Sequence, residues 1–229
     1  MTEHLLVDAF CQADMVRGWR YLDDAGRIMN KWDSAFPEKT VGLDGLMMRN
    51  RDAVFETLKV NPLIVWLHFS LPEKLDDVIS TSEATIEGVS EILGVSQYRR
   101  IGVRVQYLHG IDRDKLGQAV QQMAQNLFSS KWAADPAIPI ISPFNFEFMV
   151  KVANEPIEVN LRVGTVSILP ESRHKKNLPE TGTLIDLDLY HRRIINIADI
   201  RGFMKRVKDW LSGELPHIEN RVFGGVNFE

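Results

Sequence analysis

Tyr98-Arg99-Arg100-Ile101-Gly102-Val103-Arg104-Val105-Gln106-Tyr107-Leu108-His109 alternates apolar and polar residues. In an extended chain Ile101, Val103, Val105 and Tyr107 fall on one side, and Arg100, Arg104 and Gln106 on the other. That is the period-two pattern of a strand with one buried face. The stretch decides the fold because a complete set of elements precedes it and a similar set follows it. Upstream, residues 4–12 read as an apolar strand. Residues 17–36 read as a helix, with Trp19, Leu22, Ile28, Met29, Trp32 and Phe36 near helical spacing and Pro37 as its stop. Residues 41–49, 53–60 and 62–70 read as three extended segments. The last, which contains Val65-Trp66-Leu67-His68-Phe69, is apolar on both faces and belongs at the centre of a sheet. Ser70-Leu71-Pro72-Glu73 has the form of a capping box for a helix over 74–93, interrupted near Ser80-Thr81-Ser82 and stopped by Gly94.

Downstream of the strand at 98–109 the order restarts. Asp112 can cap a helix over 113–128 that turns Leu116, Ala119, Val120, Met123 and Leu127 inward. Residues 144–152 alternate, Asn154-Glu155-Pro156 turn the chain, and the alternation resumes at Ile157. It slips in parity after Gly164, which predicts a bulge. Residues 184–191 read as a third strand. Asn196 precedes a final helix whose apolar face is Ile200, Phe203, Met204, Val207, Trp210 and Leu211, closed by Ser212-Gly213. Each half, 1–97 and 98–229, thus reads strand, helix, three strands, helix. The second half is lengthened by loops at 129–143 and 170–182 and ends in a tail. The prediction is an α+β protein in which pseudo-duplicated β-α-β-β-β-α units share one large antiparallel sheet with helices on one face. That topology resembles the TATA-binding-type and helix-grip folds. A rival grouping takes the first two helices and four of the first five strands as a ferredoxin-like unit and leaves residues 53–60 as an addition.

Composition bounds the function classes. The chain has 229 residues, 45% of them hydrophobic and 25% charged, as expected of a globular protein large enough to bury a core without disulfides. Its 27 basic and 31 acidic residues leave a net charge of −4, which disfavours a dedicated nucleic-acid coat. Cys11 is the only cysteine, so no intrachain disulfide forms, and its apolar surroundings mark it as a small buried hydrophobe. No secretory signal and no run of about 20 apolar residues is present, so the expectation is a cytoplasmic protein without membrane association.

No phosphate loop, dinucleotide fingerprint or nucleophile elbow occurs. The most chemical-looking run is Asp186-Leu187-Asp188-Leu189-Tyr190-His191. Asp186 and Asp188 project from one strand face, where with His191 they could hold a divalent metal for a hydrolase. The plainer reading is a solvent face on which both pair with Arg100 and Arg104. Arg173-His174-Lys175-Lys176, together with Arg100 and Arg104, could contact phosphate or an acidic partner, and a nucleic-acid-binding saddle is the corresponding alternative. The six histidines are scattered, with no His-x3-His spacing, and zinc ligation is not expected.

Several segments together resemble a sporadically distributed family of uncharacterised prokaryotic proteins. These are the first apolar strand leading into a Trp-containing helix, the segment from Arg99 to Ile111, the late Leu184-Ile185-Asp186-Leu187-Asp188-Leu189-Tyr190 strand, and a C-terminal helix ending near Ile218 and Phe223. Val65 to Phe69 stands where that family carries an Asn-Trp-Arg stretch. The resemblance implies no activity and no site residues. The sequence therefore points away from an enzyme and toward a non-catalytic protein-binding or assembly module without a cofactor, engaging another protein or its own copy.

Overall fold

The computed structural model describes residues 4–16, 18, 20–42, 44–127, 147–154, 157–169 and 178–226, with the backbone alone over 147–154. The predicted loop at 129–143, most of the loop at 170–182 with Arg173, His174, Lys175 and Lys176, and the end of the tail lie outside the described residues.

The strands are β1 (Leu5–Met15), β2 (Glu38–Gly42), β3 (Gly45–Arg49), β4 (Phe55–Val60), β5 (Ile64–Ser70), β6 (Gln97–Gly110), β7 (Glu147–Asn154), β8 (Ile157–Ser167), β9 (Thr181–His191) and β10 (Ile195–Asn196). The helices are α1 (Tyr21–Lys31), α2 (Leu75–Leu93), α3 (Leu116–Leu127) and α4 (Ile200–Phe223). All ten strands form one antiparallel sheet in the order β2-β3-β4-β5-β1-β6-β9-β8-β7, with β10 paired to the start of β6. The α+β architecture read from the sequence is therefore the one observed. β1 and β6 stand side by side at its middle, Ala9 opposite Val105, Cys11 opposite Val103 and Ala13 opposite Ile101. Outward from β1 the neighbours are β5, β4 and β3, and outward from β6 they are β9, β8 and β7.

One face of this sheet is closed. Ala9, Cys11 and Ala13 of β1, Val65 and Leu67 of β5, Ile101 and Val103 of β6, Leu187 and Leu189 of β9, and Val159 of β8 are fully buried beneath the helices. Each larger side chain among them contributes about 1.5–3 kcal/mol by leaving water. The helices lie against each other as α1 on α2, α2 on α4 and α4 on α3, and α2 rests on β1 and β5. Small residues on β1, the two alanines and the cysteine, leave room for this layer over the sheet's centre. No helix among the described residues is long and apolar enough to cross a membrane.

Several boundaries differ from the sequence reading, each for a local reason. Residues 41–49 are not one strand: Val41 and Gly42 end β2, and Gly45–Arg49 form β3, which pairs back on it. Gly45 takes φ +145°, and a Cβ there would press on the Val60 carbonyl at 3.0 Å. The strand at 53–60 is β4, which stands between β3 and β5 rather than outside them, so the ferredoxin-like grouping does not describe the sheet. Ser70 does not cap α2. It closes β5 with its N–H on the Val54 carbonyl, and α2 begins at Leu75 after Leu71 turns the chain at φ 47°. The serines of α2 do not interrupt it. Ser80 and Ser90 return their hydroxyls to the carbonyls of Asp77 and Ile86, and Gly94 ends the helix at φ 66° as expected. β8 keeps its register with β9 through Ser167 without a bulge; the close approach at Gly182 is to β6 on the other side, where a Cβ would meet the His109 carbonyl. Helix α1 is shorter than predicted, although Phe36 beyond it is still buried. Asn196 stands before a short 3-10 turn, Ile197–Asp199, rather than before the final helix itself, and its side-chain amide donates to the Asp199 carboxylate instead of capping a backbone N–H.

The largest departure from the periodicity reading is the length of α4, whose end at Phe223 is where the family resemblance put it. Ser212-Gly213 does not close it. The helix runs on to Phe223 because Leu211, Leu215, Ile218 and Val222 continue its apolar stripe, while Gly213 and Pro216 lie on the exposed side. Ten further residues are thereby carried along the sheet, Glu219 among them.

Candidate functional site

The other face of the sheet is lined by the alternate residues of the same strands. From β5 come Trp66 and His68, from β1 Asp8, Phe10, Gln12 and Asp14, from β6 Arg100, Gly102 and Arg104, from β9 Asp186, Asp188 and Tyr190, and from β8 Asn160 and Arg162. Register sets Phe10 opposite His68, and their rings stack at 4.7 Å with 9° between the planes. Trp66, two residues along the same strand, closes the group at 5.8 Å from Phe10. His68 is held by Asp8, Nε2 to Oδ1 at 2.9 Å.

Beside this aromatic group the surface dips into a hollow of about 250 Å³ lined by Phe10, Gln12, Trp66, Arg100, Gly102, Arg104 and Asp188. Its cause is Gly102, the one residue of the row without a side chain. A Cβ there would lie 3.0 Å from the Cβ of Tyr190 and 3.6 Å from the Arg100 guanidinium. In its place Arg100 reaches across the ring of Tyr190, 5.0 Å from its centroid, to meet Asp188 at 3.3 Å. Arg192 covers the same ring at 4.8 Å, and the Tyr190 hydroxyl donates to Glu158 at 3.2 Å. Arg104 grips Asp186 with two parallel bonds, Nε to Oδ1 at 2.7 Å and Nη2 to Oδ2.

The residues proposed from sequence are thus brought together in part. Asp186, Asp188, Arg100 and Arg104 form one network. His191 lies on the opposite parity of β9, where its Nδ1 accepts the Arg193 N–H at 3.3 Å. A divalent cation at Asp186 and Asp188 would have to displace two guanidinium groups. Burial raises the Asp188 carboxyl above its ordinary value even against the pull of Arg100 and Arg104, so this position disfavours concentrated negative charge. Cys11 lies wholly inside the core on the other side of the sheet, and burial pushes its thiol up to about 12, which leaves it inert.

The sequence reading missed two features. One is the aromatic group: Trp66 and His68 sit in a run apolar on both faces, and only the pairing of β5 with β1 shows that their side meets Phe10. The other is a set of metal-type donors on the helix-covered face. His4 precedes β1, His109 is near the end of β6, and Glu219 lies on the part of α4 beyond Gly213. The register that pairs Leu5 with Leu108 places His4 opposite His109 at its next step. His4 Nδ1 is 2.8 Å, and His109 Nε2 3.3 Å, from the same Glu219 oxygen. Burial acts to raise the Glu219 carboxyl, but the hydrogen bonds from His109 and His4 outweigh it and hold the group at about 2. The bond to Glu219 in turn raises His4 above its ordinary value. Comparison of the chain with protein-family models and with curated proteins finds no match.

Proposed function

We propose that the protein is a non-catalytic binding module that receives a protein partner on the open face of its sheet. The observation that carries this reading is the stacked Phe10–His68–Trp66 group beside the hollow over Gly102, rimmed by Arg100, Arg104 and Asp188. Aromatic and arginine side chains at the centre, with a polar rim of mixed sign, are the composition that dominates protein–protein binding energy. The partner it fits inserts an apolar side chain into the hollow and offers charges of both signs to the rim. Nucleic acid fits less well, because Asp8, Asp14, Asp186 and Asp188 share the face with the arginines and offset their field. In the same reading 1–97 and 98–229 descend from one duplicated unit, supported by the like order of strands outward from β1 and from β6.

The test places a photo-crosslinking amino acid at Phe10 and, as control, at Lys205 on the exposed side of α4. Irradiation in cells of the source organism is expected to join the Phe10 probe, and not the Lys205 probe, to one protein species. Trp66→Ala should weaken that protein's binding by about thirtyfold, the roughly 2 kcal/mol of a central aromatic anchor. Equal yields from both probes, or products containing only nucleic acid, would overturn the proposal.

A further inference from the structure

We infer that His4, His109 and Glu219 form a zinc site. Their donor atoms all lie within 4.8 Å of one another, and they are the described His, Cys, Asp and Glu residues that gather in this way. Tetrahedral zinc with bonds of about 2.0–2.1 Å separates its ligand atoms by roughly 3.3 Å. The pair His109 Nε2 and Glu219 Oε1 already stands at 3.3 Å, and the pair His4 Nδ1 and Glu219 Oε1, at 2.8 Å, needs to open by about half an ångström. Two imidazoles and a carboxylate, with no thiolate, are a donor set that zinc accepts with a water as fourth ligand.

The three residues come from the approach to β1, the end of β6 and the late turns of α4, and the framework around them is tied down. Asn126 of α3 donates to the carbonyls of Val222 and Gly224, at 3.1 and 2.9 Å, and so fixes the end of the helix that carries Glu219. Phe223 packs on the His109 ring at 4.3 Å, and Tyr107 meets the His4 ring edge-on at 5.1 Å. These apolar walls restrict water on two sides, while His4, 38% exposed, leaves an entry path.

The test uses the full chain, freed of any affinity tag and stripped with a chelator. Calorimetric titration with zinc sulfate is expected to show one equivalent bound, and cobalt(II) to give the visible absorption of a low-coordinate nitrogen–oxygen site. Glu219→Gln, which keeps the size of the side chain, should reduce both signals to none while its far-ultraviolet dichroism stays native. His4→Ala, at the exposed corner, provides a second variant should Glu219→Gln fail to fold. Zinc should also raise the melting temperature of the parent protein and leave that of the variants unmoved. A parent that takes up no stoichiometric metal, or variants that bind it as well as the parent, would overturn the site and leave a histidine–carboxylate clasp that only secures α4.

Discussion

Asp186 and Asp188 are two residues apart on one strand, yet their surroundings differ enough to separate their energetics. Asp186 is nearly buried and holds Arg104 with both oxygens. Its replacement by Asn removes a charged acceptor while Arg104, half exposed, can still turn to water. Asp186→Asn should therefore cost roughly 1–2 kcal/mol in urea denaturation. Asp188 meets Arg100 at the longer distance of 3.3 Å, and its carboxyl is raised by burial. A raised carboxyl binds its proton more tightly in the folded state than in the unfolded one. Its contribution to stability is therefore fully present below the ordinary value of 3.8 and is lost as pH rises through the folded value. Asp188→Asn is expected to be better tolerated than Asp186→Asn at neutral pH, and to fall further behind the parent when both are measured below 3.8. An Asp188→Asn penalty that is larger at neutral pH than in acid would contradict the assignment. The alternation at 184–191 made the shared face of these carboxylates legible in the sequence. The distinction between them was not, since it depends on Gly102 and on how far Arg100 can reach across the neighbouring strand.

Among the elements, α4 shows where local signals and packing part company. Gly213 is a sound stop signal by intrinsic preference, and Pro216 removes an N–H from the helix interior. Both were outweighed because the stripe Leu211, Leu215, Ile218 and Val222 buries apolar surface against α3 and the sheet, a gain that only tertiary contact supplies. The strands were more readable than the helix ends, because period-two alternation records which face is buried along the whole element. The same limit hid Glu219, which periodicity alone left beyond a helix closed at Gly213, and hid the convergence of His4 with His109, which depends on strand register. If packing maintains α4 through an unfavourable glycine, relieving that residue should stabilise the protein. A Cβ at Gly213 meets nothing within 4 Å, and the position is exposed. Gly213→Ala is expected to add about 0.5–1 kcal/mol, read as a higher denaturation midpoint with an unchanged slope. A loss of stability would mean that the helix bends at this residue and needs the freedom.

At the scale of the whole molecule, the question is whether 1–97 and 98–229 behave as two domains or one. Two domains would each close their own core and meet at a modest interface. Here the boundary falls between β1 and β6, which are hydrogen-bonded along most of their length at the centre of the sheet. The helix layer crosses it too, as α2 packs on α4 with Arg201 on Glu83 at 2.6 Å and Lys208 on Asp76 at 2.8 Å at the rim. These exposed pairs contribute little by themselves, but they mark a helix contact whose apolar part belongs to the single core cluster. Separation of the halves would expose one edge each of β1 and β6 and uncover Cys11, Ala13, Ile101 and Val103, all fully buried. No half can open without losing core from the other, so the most protected amides should be shared across the boundary. Hydrogen exchange followed by mass spectrometry is expected to show peptides of β1 and β6 exchanging last and at one common rate, that of global unfolding. The edge strand β2, with much of its surface exposed, should exchange first. A common rate for β1 and β6 is the decisive result. If peptides of β1, β4 and β5 exchanged together at one rate and those of β6, β8 and β9 at a clearly different one, the two halves would be independent folding units and the central ladder an interface between domains.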